Sequence, residues 1–416
     1  MKTSMKRVIL ISSLVLLPAS ASAQGSMLPA AGAINSAMGG AGTAVPNESL
    51  GALLFNPALI AGAKGNQISF TTEFMKDDIN VRTTKGALTG NATSTSQLGI
   101  VPAFGWMMRD PTKKLALGFG LIGVTSIETD YPQDSASVLF AQAPGGLGRV
   151  WSSLKVTKIP TAMAYQVTPK LALGASMNIY LGQFSYAPLS TTVFDVNSSG
   201  DRFYPEAGKP SQRFAYSVQL GFHYQATDMV SVGGSVTTPQ NFAPYEWNST
   251  IADPLSRGFG ASRTLSYDLD GPMVASFGIG LTPDKKTQIA LDGMFTKYDG
   301  VAGFDALGWR NVWTFKTGIQ REMSEKLVVR AGYHFSQTPL TSAAVLSAIG
   351  MPETAQHHLS AGFGLKLFPF LEATTGVSFV PRQHVSGSYA DAKNAVGTID
   401  LSNRATSALV GLNFKF

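Results

Sequence analysis

The sequence contains no cysteine, which excludes disulfides, thiolate metal sites, a cysteine nucleophile and a thiol-linked lipid anchor. Charge is scarce as well. Asp, Glu, Lys and Arg make up 14% of the chain, against about 25% in a typical soluble domain. Beyond the amino-terminal region no apolar run reaches the roughly 18 residues that a membrane-crossing helix needs. A chain that is 44% hydrophobic, poor in charge and without such runs must place its apolar surface in another pattern. A transmembrane β-barrel does this, because its lipid-facing side is every second residue.

The amino terminus carries the one long apolar stretch. Lys2, Lys6 and Arg7 precede Val8 to Leu17, and Pro18 with Ala21-Ser22-Ala23 supplies a small-residue cleavage site, so residues 1–23 read as a secretory signal peptide. Their removal takes away three cations and no acid, and the formal net charge of +6 becomes +3. That surplus is too small to argue for a nucleic-acid partner.

The alternation is legible near the C-terminus. Ala408, Val410, Leu412, Phe414 and Phe416 share one face, and Ser407, Gly411, Asn413 and Lys415 share the other, with Leu409 as the exception. His358, Ser360, Gly362, Gly364 and Lys366 oppose Leu359, Ala361, Phe363, Leu365 and Leu367 in the same way. A half-buried strand of a soluble sandwich has this period too, so the connections must decide. Strands are expected over 66–77, 97–109, 114–126, 154–167, 170–186, 212–226, 229–242, 264–282, 286–298, 310–322, 326–338, 357–368, 370–382 and 403–416. The eighth is long enough to hide a bend at Pro272. Tight turns such as Asp110-Pro111-Thr112-Lys113, Thr168-Pro169 and Thr227-Asp228 alternate with longer joins rich in Ser, Gly and Asp. The pattern predicts an all-β fold: a 14-stranded antiparallel transmembrane barrel in an outer membrane, with short periplasmic turns, long extracellular loops and both termini periplasmic.

Residues 24–65 precede the first strand and carry Leu53, Leu54, Phe55, Leu59 and Ile60. A disordered tail would expose these to water, so they are expected inside the barrel, residues 66–416, as a small plug or hatch.

Ala37-Met38-Gly39-Gly40-Ala41-Gly42 and Leu53-Leu54-Phe55-Asn56-Pro57-Ala58 resemble the N-terminal hatch signature of the FadL/TodX (OMPP1) family, outer-membrane transporters for long-chain fatty acids and aromatic hydrocarbons. Gly308-Trp309-Arg310-Asn311-Val312-Trp313, Val329-Arg330-Ala331-Gly332-Tyr333 with Pro339, and Met351-Pro352 are similar to the family's later strands and the loop between the eleventh and twelfth. Where members commonly have an acidic pair in the hatch, this chain has Asn47-Glu48. The resemblance marks Gly39, Gly40, Asn56, Pro57 and Ala58 as the hatch motif. It implies passive uptake: capture by hydrophobic loops, a lumen pocket beside the hatch, and sideways exit through a wall gap near the third strand.

Pro102 in the second strand and Pro160 in the fourth each remove a ladder donor, and Gly118, Gly120 and Gly123 soften the strand between them. Prolines also occur at barrel rims for shape alone. Val138, Leu139 and Phe140, and Ala343 to Leu346 with Ile349, are candidates for loop capture, or pack their own loops. Leu53 and Phe55 are the hatch's candidates for the pocket. An acidic ligand would need a cation, for which Arg310, Lys316, Arg330 and Lys366 are candidates, unless they pair with Asp292 and Glu372. A neutral aromatic ligand would need none.

Gly118-Phe119-Gly120-Leu121-Ile122-Gly123 spells a dinucleotide pattern without the βαβ unit that gives it meaning, and His357-His358 near Ser360 lacks an orienting acid. The expectation is therefore a non-enzyme with no cofactor or metal. The expected partners are a hydrophobic small molecule, the lipid bilayer with lipopolysaccharide, and the outer-membrane assembly machinery acting on the C-terminal strand; the barrel is expected to be a monomer. Fatty-acid uptake is the leading reading, with aromatic-hydrocarbon uptake, a general porin or a surface receptor as alternatives.

Overall fold

A computed structural model describes residues 25–142, 146–189, 194–200, 202–390 and 396–416. The expected signal peptide lies outside the described residues. Among them, fourteen strands follow one another round an antiparallel sheet: β1 (Gln67–Lys85), β2 (Gly99–Arg109), β3 (Leu115–Tyr131), β4 (Val150–Gln166), β5 (Leu171–Ala187), β6 (Ala207–Gln225), β7 (Val230–Thr237), β8 (Met273–Asp284), β9 (Thr287–Lys297), β10 (Val312–Glu322), β11 (Leu327–Ser336), β12 (His357–Phe368), β13 (Leu371–Ala390) and β14 (Val396–Lys415). β14 pairs back onto β1 from Gln67 opposite Lys415 to Thr84 opposite Thr398, so the sheet closes into a barrel and leaves no long edge unpaired. No helix among the described residues is long and apolar enough to cross a membrane.

The two-residue period sorts the wall. In β3, Leu115, Leu117, Phe119 and Leu121 are exposed on the outside, while Ala116, Gly118, Gly120 and Ile122 are buried on the inside. In β14, Val410 and Leu412 face out and Ser407 and Asn413 face in; Leu409, the irregular residue, keeps the inward parity and is fully buried. The short turns are built by side chains: Asp110 Oδ1 accepts from Thr112 N and Oγ1, and Asp284 Oδ1 accepts from Lys286 N and Thr287 N.

Several boundaries differ from the sequence reading, most of them at the loop side. β1 runs on past residue 77 to Lys85 and turns back as a hairpin with Leu88–Thr93, and β13 and β14 extend with it on the loop side. The expected eighth strand is two elements. Ser262–Tyr267 pairs with Tyr245–Thr250 in a separate hairpin, and β8 begins only at Met273, because Pro272 has no N–H to continue a ladder. β7 stops at Thr237, short of residue 242.

At the end bearing the long connections, aromatic residues pack over the lumen. Phe184 meets Tyr245 at 5.5 Å and Trp247 at 5.9 Å, and Tyr298, Phe304 and Trp309 lie 4.5 to 5.1 Å from one another. Leu139, Phe140, Val345 and Ile349 are buried in this cluster; they pack the loops rather than face solvent.

The amino-terminal segment is enclosed by the wall. Helix α1 (Ala33–Ala37) lies against β11 to β14, helix α2 (Ser49–Phe55) against β1 to β4, and the 3-10 turn Pro57–Gly62 chiefly against β4, β5 and β6. Leu50, Leu53, Leu59 and Ile60 are fully buried there.

Candidate functional site

The enclosed segment can approach the wall closely because the wall offers glycines at the points of contact. A Cβ on Gly174 would overlap Pro57-Ala58, one on Gly221 would overlap the Asn56 side chain, and one on Gly332 would overlap the Met38-Gly39 backbone. Gly39 and Gly40 have φ of 67° and 76°, a conformation that other residues rarely adopt.

Directional polar bonds then fix the segment. Asn56 Nδ2 donates to Thr43 O at 2.8 Å and to Phe222 O of β6 at 2.9 Å, while its Oδ1 accepts from Ala58 N. Pro57 opens the 3-10 turn that this side chain caps. Asp292 Oδ2 of β9 accepts from Gly42 N, Thr43 N and Thr43 Oγ1 at 2.7 to 2.9 Å.

Between this segment and the aromatic cluster lies a narrow cavity, whose empty space together with its opening is about 900 Å³. Leu54 and Phe55 border it on the segment's side, Val156 and Tyr180 on the wall, and Phe242 and Phe304 toward the loops. Its polar lining includes Lys158, Gln219, Ser235 and Asp270. Lys158 is buried, and its ammonium donates to Leu53 O at 3.1 Å, Leu54 O at 3.3 Å and Gln219 Oε1 at 2.8 Å. Gln219 Nε2 donates to Leu54 O and Phe55 O, and Ser235 Oγ donates to Phe55 O. The carbonyls left over at the end of α2 are thus satisfied by the wall.

The cavity also reaches an irregular part of the wall, bordered by Ser26, Met27, Leu28, Val124 and Thr125. The β2–β3 ladder ends at Ala103 opposite Ile122. The β3–β4 ladder skips Gly120 and Leu121, opposite Pro160 and Ile159, and shifts register between Gly123 and Thr125. Leu28 N donates to Val124 O at 2.8 Å, inside this interruption.

Of the residues named from sequence, Phe55 lines the cavity and Leu53 instead packs on the inner wall at Gly118 and Gly120. Pro160 faces Gly120, Gly123 stands at the register shift, and Pro102 is exposed outside, paired with Thr72 of β1. Lys316 lies 4.3 Å from the centre of the Phe55 ring and donates to Pro29 O. Arg330 is buried and paired with Glu372 at 2.7 Å. Lys366 pairs with Glu322 near the short-turn rim, and Arg310 is exposed in a loop with Nε on Thr338 O. None of the four borders the cavity. Lys158, Gln219, Ser235, Tyr180 and Phe242 do, and sequence reasoning missed them.

Glu48 in the enclosed segment and Asp270 at the cavity are both shifted. Burial pushes the Glu48 carboxyl up to about 7, against the hydrogen bond from Asn35 N. Burial also raises Asp270, although Phe242 N donates to it. Among the described residues no group of three or more His, Cys, Asp or Glu side chains is placed to hold a metal.

The family described as "Outer membrane protein transport protein (OMPP1/FadL/TodX)" matches residues 14–416. No curated protein matches the chain. Among solved structures, the toluene transporter TodX of P. putida is 17% identical with a TM-score of 0.68, covering 94% of this chain and 99% of that one. A Pseudomonas aeruginosa FadL homologue is 14% identical with a TM-score of 0.71, covering 94% and 100%. The Ralstonia pickettii toluene transporter TbuX is 18% identical with a TM-score of 0.67, covering 94% and 99%. At these identities the likeness is one of fold.

Proposed function

Because the chain belongs to the outer-membrane transport protein family OMPP1/FadL/TodX, we propose that it is a passive channel for neutral hydrophobic molecules, with aromatic hydrocarbons as its substrate class. The observation that carries this reading is the state of Lys158. An ammonium has three hydrogens to donate, and three acceptors already surround this one. A carboxylate in the cavity would meet no other cation among its described lining residues, and it would share the space with Asp270. An unpaired buried charge is costly, whereas an apolar molecule gains about 0.8 kcal/mol for each CH2 group taken out of water. Two of the similar structures are of toluene transporters, which agrees with a neutral aromatic ligand.

The proposed route runs past the aromatic cluster into the cavity and then sideways at β3. The bordering of the cavity by Val124 and Thr125, where both ladders are interrupted, supports that exit. The enclosed segment acts as the hatch.

A fatty-acid reading is favoured by one feature, the burial of a lysine at the cavity with no carboxylate partner. Influx into liposomes separates the two. Purified protein is expected to accelerate entry of labelled toluene and to leave labelled oleate at the protein-free rate. Acceleration of oleate that is lost in Lys158→Met would replace the neutral reading with the acidic one.

A further inference from the structure

On the outer wall where β13, β14 and β1 meet, the outward-facing side chains change from apolar to charged toward the loops. On β14, Val410 and Ala408 give way to Thr406 and Arg404; on β1, Phe74 gives way to Lys76, Asp78, Asn80 and Arg82. On β13 the ladder shifts register between Val380 and Gln383, and such a bulge re-aims the side chains within it. Arg382 is one of them, and its Nη2 reaches Asp78 Oδ2 on the outer face.

The resulting cleft has an empty volume of about 850 Å³ and is lined by polar side chains, among them Asn80, Arg82, Asn91, Arg382 and His384. Arg382 and Arg404 both donate to the same oxygen, Asp78 Oδ2, the second at 2.7 Å. Arg382 also donates to Ser402 Oγ, and His384 Nδ1 lies 2.9 Å from Asp400 Oδ1. A guanidinium has five N–H donors, so both arginines keep donors to spare. Arg82 is exposed and has no hydrogen bond to a carboxylate among the described residues. Among the described residues, Arg82, Arg382 and Arg404 thus share this part of the wall with two acids, Asp78 and Asp400. By contrast Lys155 on the outer wall is matched by one acid, Glu128, and Arg213 at the loop end of β6 by Glu246.

We propose that this cleft binds the phosphate of a phosphorylated lipid headgroup in the outer leaflet. Clustered guanidiniums recognise phosphate through paired N–H donors. The cleft stands directly beyond the apolar belt, where headgroups lie, and Phe379, Ala408 and Val410 below it offer a surface for acyl chains. Soluble phosphate has the same headgroup chemistry and none of the chains. The site is independent of the transported molecule.

The test is a titration of the purified, full-length protein in detergent with bisphosphorylated lipid A, with the same lipid dephosphorylated, and with inorganic phosphate. The phosphorylated lipid is expected to bind about ten-fold or more tightly than the dephosphorylated one, and Arg82→Ala with Arg404→Ala to remove that advantage. Heat-modifiable gel mobility and toluene influx report that this variant is folded. The control Lys155→Ala with Arg213→Ala is expected to bind as the unaltered protein does. Equal binding of the two lipids, an unaffected arginine variant, or an equal loss in the control would overturn the proposal. So would inorganic phosphate saturating the cleft at lower concentration than the lipid.

Discussion

The cavity is bordered by two seals of opposite character. On the hatch side the contacts are directional: Asn56, Lys158, Gln219 and Asp292 each satisfy particular backbone groups at 2.7 to 3.3 Å. On the loop side they are ring against ring, as in Phe304 with Trp309 at 4.5 Å. A buried polar group that loses its partner costs about 1–3 kcal/mol, so the hatch cannot shift a little at little cost. Aromatic pairs add only about 0.5–1.5 kcal/mol beyond area burial, and a greasy molecule can replace the contacts it displaces. The soft seal suits admission of an apolar molecule, and the stiff one suits retention of the barrier.

The largest expected effect comes from removing the stiff seal altogether. Without residues 24–60 the barrel is expected to carry a continuous ion current in planar bilayers, where the full chain is expected to conduct poorly, and to remain heat-modifiable. A truncated barrel that conducts no better would mean that the barrier lies in the loops alone. Next comes Asn56→Asp, which keeps the shape and loses the donor. It leaves Thr43 O and Phe222 O facing a third acceptor, at a cost of about 2–4 kcal/mol. Hydrogen exchange over residues 42–58 is expected to quicken, with the strands unaffected; unchanged exchange there would show that packing, not Asn56, holds the hatch.

Glu48 makes part of the stiff seal dependent on pH. Its carboxyl titrates at about 7 in the folded protein against 4.5 as a free side chain. The folded form therefore binds the proton more tightly, and the hatch is firmest below the lower value. Stability falls as pH rises through that window, by about 3 kcal/mol in all. Exchange in the hatch, corrected for its intrinsic pH dependence, is expected to rise steeply between about pH 4.5 and pH 7. Glu48→Gln, which can still accept from Asn35 N, is expected to flatten the profile; a slope that survives the substitution would assign it elsewhere.

The wall was readable because lipid demands an apolar residue at every second position, and the turns because Asp and Pro fix their geometry. That signal fades where both faces meet water. Hence β1 past Asp77 and the loop-side half of β13 went unseen, and two periodic stretches either side of Pro272 read as one strand. Within the site, Asn56-Pro57 stood out because it breaks an apolar run. Lys158, Gln219 and Ser235 did not, since each is one inward polar residue on a different strand, and only the register of β4 to β7 brings them to the end of α2. The buried Leu139 and Val345 show the converse limit, because apolar loop residues carry no mark of whether they face a ligand or each other.

The smallest effect is expected at the soft seal, and its smallness is the point. Phe304 is buried against Tyr298 and Trp309 and borders the cavity. Phe304→Leu keeps the site apolar while removing both ring pairs, a loss of about 1–3 kcal/mol confined to the loops. Toluene influx is expected to stay within about two-fold of the unaltered protein, because no directional bond is broken and repacking or ligand can fill the space. Asn56→Asp alters even fewer atoms yet is expected to unsettle the hatch. If Phe304→Leu abolished influx while Asn56→Asp left it intact, the assignment of stiff and soft seals would be reversed, and the aromatic cluster would be the selective element.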